Sequence, residues 1–236
     1  MGAQVQVYVT SPPYGGCMNN SSWRDRLRAL PVFGENLPGF ATDAAPSDPI
    51  ALFTEWLAFA IDDGVSQPHA MTVATANADA VASARTVILK DLTPDGLWFS
   101  TMTNSRKGQD LAANPTAALL FYWREQGRQV RVSGGVVVGD RAVAEADFLQ
   151  RSIEARAVAI AGQQSAVLTG REQFDSAVED ARAILEFKPD YVPDAWTAYQ
   201  VRPTTVEFWQ ATRDRDQIRL RYSRADDGWT QELLWP

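Results

Sequence analysis

The spacing of apolar residues along the chain changes its period at two points. Residues 1 to about 45 show no regular repeat. Ser11-Pro-Pro-Tyr-Gly-Gly and Met18-Asn-Asn-Ser-Ser are turn and breaker residues, so the stretch 1–45 reads as a flexible or loosely docked N-terminal arm. Phe53, Trp56, Leu57, Ala60 and Ile61 then recur at helical spacing. Ser47-Asp48-Pro49 supplies a capping side chain before a proline suited to a first turn, and Gly64 supplies a stop. A helix is predicted between them.

Beyond Gly64 the pattern is that of strands. Residues 70–75, 84–90 and 97–101 alternate or run apolar between Asn/Asp and Pro-Asp-Gly turns. A short helix follows from near Ser105 to Asn114, then strands at 117–123 and 129–133. Residues 141–159 and 170–187 read as helices, and strands at 197–201, 204–209, 218–223 and 229–234 close the chain. Short antiparallel strands with helices inserted between them predict an α+β fold built on a closed or partly closed barrel, in one domain over residues 46–236. There is no internal repeat.

Composition narrows the class without naming a chemistry. At 236 residues, 45% hydrophobic and 22% charged, this is an ordinary globular chain, and eight Trp supply material for a core or an interface. A net charge of -7 argues against nonspecific nucleic-acid binding. The single Cys17 excludes an internal disulfide framework, and a lone His69 leaves little for a histidine metal centre or a Ser-His-Asp triad. His69 reads as a loop or strand-edge residue. No run approaches the roughly 20 apolar residues of a membrane span. The N-terminus lacks the pattern of a signal peptide, so the expected location is cytoplasmic. Neither GxGxxG nor GxxxxGKS occurs, so dinucleotide and P-loop readings have no support.

Against that acidic background, residues 85–107 stand out. Four cations (Arg85, Lys90, Arg106, Lys107) face two acids (Asp91, Asp95), a local net of +2. Cations beside hydroxyls and Gly108 suit a bound phosphate. Two strands with solvated basic ends is the other reading of the same residues.

Six pieces in order and at similar spacing resemble the pyridoxamine 5'-phosphate oxidase family. They are Arg85-Thr-Val-Ile-Leu-Lys90, Ser105-Arg-Lys107, Arg128-Gln-Val130, Gln164-Ser165, Val206-Glu-Phe-Trp209, and Arg219-Leu-Arg-Tyr-Ser-Arg with Trp229. The resemblance spans about residues 47–236. It implies an FMN-binding split β-barrel that forms homodimers with active sites shared at the subunit interface. It assigns Arg85, Thr86, Val87, Ile88, Leu89 and Lys90 to the strand that meets the flavin and its ribityl phosphate, with Ser100 and Thr101 beside the ring. Arg106 and Lys107 match the phosphate-binding pair. Gln129, Gln164, Ser165, Trp209 and Arg219 match positions completing the site, some from the second subunit. Spacing alone reads Trp209 as a core aromatic and Gln164-Ser165 as a polar loop.

The substrate positions match less well. The resemblance places Lys90, Asp147, Arg151 and Ala155 around the substrate phosphate, where the family has lysine, tyrosine, arginine and serine. The family's Arg-x-His over the substrate ring becomes Arg215-Asp-Gln217, so Arg215 is expected to orient substrate and Gln217 to add a hydrogen bond. Tyr122-Trp-Arg-Glu125, Leu111-Ala-Ala-Asn-Pro115, Ala159-Ile-Ala-Gly-Gln-Gln-Ser165 and Leu220-Arg-Tyr222 are similar to the phenazine-biosynthesis branch of the family, although that branch also keeps the histidine. The implied activity is an FMN-dependent oxidase of a reduced aromatic acid or amine in secondary metabolism, with O2 as acceptor. A vitamin B6 phosphate oxidase and a noncatalytic cofactor-binding barrel are the alternatives.

Overall fold

The computed structural model describes residues 22–34 and 36–236; the Pro-, Gly- and Asn-rich residues 1–21 of the arm lie outside it. The chain forms two compact units, Met1–Val32 and Phe33–Pro236. In the first, a helix α1 (Trp23–Arg28) starts at a capping box in which Ser22 and Asp25 exchange hydrogen bonds, and it buries no residue.

The second unit opens with residues 33–45, of which Phe40 and Ala45 pack on the main core. Helix α2 (Pro49–Asp62) begins where Asp48 Oδ1 accepts from the Ile50 amide at 2.9 Å. Phe53 and Trp56 point inward against Phe121 and Phe208, each pair edge-on. Burying a side chain of this size stabilises by about 1.5–3 kcal/mol. Ile61, assigned to the same stripe, is 57% exposed because the apolar face narrows toward the C-terminal end.

Among the described residues, nine strands form one sheet in which every pairing is antiparallel. They are β1 (Ala70–Ala76), β2 (Ala82–Ile88), β3 (Asp91–Thr93), β4 (Gly96–Met102), β5 (Thr116–Trp123), β6 (Arg128–Val138), β7 (Trp196–Gln210), β8 (Ile218–Ala225) and β9 (Gly228–Leu233). The order is β2-β1-β5-β6-β7-β4-β3, with β8 and β9 branching from β7. The branch has a local cause. Strand β7, predicted as two strands, runs unbroken through Pro203 and pairs with β6 along its length. The register shifts at Ser133/Gly134, leaving Thr204 as an extra residue. At Gly134 an added Cβ would stand 1.9 Å from the Arg202 carbonyl, so only glycine lets the two strands bend together. Before the bend β7 pairs with β4, and after it with β8. That switch splits the barrel.

The helices are α3 (Arg106–Ala113), α4 (Arg141–Leu149), α5 (Ile153–Ala161) and α6 (Arg171–Phe187). The single helix expected over 141–159 is two, because Ser152 caps α5 by accepting from the Ala155 amide at 3.2 Å. The 91–96 turn also contains β3. Phe148, Met102 and Trp196 form a small second core under α4.

Candidate functional site

One end of the site is built by β2 and α3. Arg85 on β2 donates to the Val73 carbonyl (3.1 Å), Thr75 (2.8 Å) and Ser83 (2.6 Å), and lies 3.9 Å from Asp110. Asp110, on α3, is buried and accepts from Thr75 at 2.6 Å and Ser83 at 3.0 Å. The Thr75 hydrogen bond, with further help from Ser83 and the Arg106 and Arg85 charges, holds its carboxyl below the usual range despite burial. Ser105 caps α3 by accepting from the Gly108 amide at 3.2 Å. A Cβ at Gly108 would come within 2.6 Å of two carbonyls, so the first turn packs closely on the preceding loop.

Lys107 extends from that first turn to Gln164, its Nζ 3.0 Å from Oε1. Thr101 donates to the same oxygen at 3.3 Å, and the Arg106 amide donates to Ser165 at 3.4 Å. Burial pushes the Lys107 pKa down, and the charge of Arg85 pushes it further. Burial lowers Arg85 as well, offset by Asp110 and reinforced by Arg106. Three cations at the positive end of a helix thus share one acid, which is the electrostatic setting of an anion site.

A cavity of about 530 Å³ runs from this end between the sheet and helices α5 and α6. Thr86, Val87, Ser100, Thr101, Lys107 and Gln164 line it, with Val158, Leu168 and Phe174 as its apolar wall. Within the 85–90 strand only Thr86 and Val87 reach the cavity. Leu89 is buried in the core, and Ile88 is half-buried in register with Ala70.

Arg151 and Trp196 also line the cavity. The Arg151 guanidinium lies 4.9 Å over the Trp196 ring and donates through Nη2 to the Ala155 carbonyl at 3.3 Å. Its Nε is buried with no hydrogen-bond partner among the described residues. Trp196 Nε1 donates to Asp147 at 3.1 Å, and the other oxygen of Asp147 is 3.3 Å from Lys90 Nζ. The four assigned substrate residues of this region therefore form one cluster, joined by Trp196.

The remaining assigned residues lie elsewhere on the chain. Gln129, Trp209 and Arg219 stand side by side on β6, β7 and β8. Trp209 is half-buried, its ring 5.7 Å from that of Phe33. Arg219 is held by Glu207 (2.8 Å) and the Trp235 carbonyl (2.7 Å). Arg215 and Gln217 belong to the loop joining β7 and β8, where Arg215 has φ 63°, a left-handed conformation also adopted by Ser165 at 74°. None of these five borders the cavity. Trp196, Asp110 and Thr75 were missed because each looks like an ordinary strand or helix residue. Ser105 was recognised in the piece Ser105-Arg-Lys107 but not for its capping role.

Comparison with known proteins gives a consistent match. The chain matches the family described as pyridoxamine 5'-phosphate oxidase over residues 57–193, and the pyridoxine 5'-phosphate oxidase C-terminal dimerisation region over 196–236. A pyridoxine/pyridoxamine 5'-phosphate oxidase of Caulobacter vibrioides is 42% identical over 191 residues, 80% of this chain and 85% of the relative. One from a Nocardioides species is 42% identical over 196 residues, covering 82% and 90%. The crystal structure of PhzG from Burkholderia lata 383, in complex with tetrahydrophenazine-1-carboxylic acid, superposes with a TM-score of 0.79 at 32% identity, covering 85% of this chain and 99% of that one.

Proposed function

Because the chain belongs to the pyridoxamine 5'-phosphate oxidase family, we propose that it is an FMN-dependent oxidase acting on a reduced aromatic acid or amine, with O2 as acceptor. The observation that supports the cofactor is the group of three cations at the α3 N-terminus, Arg85 and Lys107 half-buried and Arg106 exposed, beside a cavity with an apolar wall. A ribityl phosphate would take Lys107 and the Arg106 side chain at the positive end of α3, with Arg85 behind them held by Asp110. A flat ring would lie along Val87, Ser100 and Thr101. The volume falls within the roughly 300–1,000 Å³ of small-molecule sites. Bound there, FMN would accept a hydride equivalent from substrate and pass electrons to dioxygen, giving hydrogen peroxide.

The chain's own residues hold and orient. Arg215 positions the substrate, and Gln217 offers a hydrogen bond. With His69 exposed in the turn before β1, no imidazole base is assigned. Gln129, Trp209, Arg215, Gln217 and Arg219 would complete the cavity of a second copy, and four of the five fall in the matched dimerisation region. A two-fold dimer supplies each cavity with its partner's row.

The reduced aromatic acid is favoured by Asp147, which places a carboxylate where a phosphate ester would need a donor. The names of the relatives at 42% identity favour the second reading, a pyridoxine or pyridoxamine 5'-phosphate oxidase. Purified protein should be yellow and dimeric. Peroxide release from reduced phenazine carboxylates, and little from pyridoxine phosphate, is the expected result. The reverse order would establish the second reading, and a colourless monomer would remove both.

A further inference from the structure

The cluster joined by Trp196 has two cations that differ in what they already hold. Lys90 is 3.3 Å from Asp147 and does not border the cavity. Asp147 is fixed in turn by Trp196 Nε1, so its carboxylate cannot turn away from Lys90 without giving up that donor. Arg151 does border the cavity. Its guanidinium lies over Trp196, and its Nε points at no acceptor among the described residues.

We infer that Asp147 sets substrate choice by occupying Lys90, leaving Arg151 as the one unneutralised cation of this cluster and so selecting a planar aromatic carboxylate over a phosphate ester. This rests on the FMN-oxidase reading above. A carboxylate has one charge and two oxygens, which the planar fork of one guanidinium satisfies. A phosphate monoester has close to two charges and three oxygens, and a second cation is needed to match them. Here the second cation is neutralised, and the Asp147 oxygens repel the surplus charge. Trp196 contributes twice: its indole N–H orients Asp147, while its ring supports Arg151.

The test uses the FMN-loaded protein and two probes, pyridoxal 5'-phosphate and phenazine-1-carboxylate, with affinities measured by titration calorimetry. Asp147→Asn keeps an acceptor for Trp196 but frees Lys90. It should tighten pyridoxal 5'-phosphate by about tenfold or more, the effect of one restored charge-assisted contact, and change phenazine-1-carboxylate by less than about threefold. Arg151→Gln should weaken the carboxylate by about tenfold or more while FMN stays bound. An affinity ratio that Asp147→Asn leaves unchanged would overturn the inference, as would an Arg151→Gln protein that binds the carboxylate normally. Flavin absorbance separates this failure from that of the parent reading. A yellow protein with an unchanged ratio removes the role of Asp147 alone, whereas a protein without FMN removes both.

Discussion

Replacing Lys107 by Met should separate binding from stability. Lys107 Nζ touches only the neutral oxygens of Gln164 at 3.0 Å and Ser105 at 3.4 Å. Among the described residues it has no carboxylate partner within ion-pair distance, and both burial and Arg85 act against its charge. Methionine keeps the apolar stem and removes the cation. In the FMN-free protein that change should leave the midpoint of urea unfolding unchanged or slightly higher. In the complex it removes one charge-assisted hydrogen bond to phosphate, worth about 1.5–3 kcal/mol. The FMN dissociation constant should therefore rise by roughly 10- to 150-fold, measured by quenching of flavin fluorescence. The wild type carries a second signature. Its lysine loses the proton below the ordinary value of 10.5, so FMN affinity should fall as pH rises through that lowered pKa, and Lys107→Met should lack this fall. An affinity change of less than about threefold, or a stability loss as large as the binding loss, would refute placing Lys107 at the phosphate.

Asp110→Asn should act oppositely, on stability first. The folded carboxyl titrates below its ordinary 3.8, so its contribution is complete above that value and is lost as pH falls through the lowered pKa. The substitution should cost roughly 1–3 kcal/mol at neutral pH, with the partial exposure of Arg85 limiting the loss, and should flatten the acid limb of stability against pH in urea titrations. For Arg215, both Ala and Gly variants should lose substrate binding and turnover. The Gly variant should melt higher than the Ala variant because a φ of 63° favours glycine, a difference of about 1 kcal/mol before the entropy of the unfolded glycine chain is counted. Unchanged turnover in Arg215→Ala would refute its orienting role.

The elements were legible where the local chemistry is decisive. Asp48-Pro49 fixes the start of α2 because the cap and the proline satisfy the same first turn. Alternation fixes β1, β6 and β8 because one face of each is buried. What the sequence could not show depends on contacts between distant residues. Gly134-Gly135 reads as a weak point that should end a strand. It instead lets β6 pass Arg202 and Pro203, which keeps β7 continuous and splits the barrel. Nothing in sequence spacing places Lys90 and Trp196 on the two oxygens of Asp147. The row Gln129, Trp209 and Arg219 follows from strand register, which periodicity alone does not set.

The charges also sort differently once their partners are known. Arg85, Lys90 and Arg219 were assigned to ligands by resemblance, yet each already meets an acid of its own chain: Asp110, Asp147 and Glu207. An arginine so held can still meet an anion through its remaining N–H groups, but its position is set before any ligand arrives, which reduces the entropy lost on binding. Lys107 and Arg151 meet no such acid among the described residues and line one cavity. Ligands that bring two anionic groups, one at the α3 N-terminus and one beside Trp196, would satisfy them together. FMN alone has one phosphate, so the second anion belongs to whatever lies beside the flavin ring. Acidity in the substrate is therefore an expectation of the cavity's own charge layout, independent of the relatives' names.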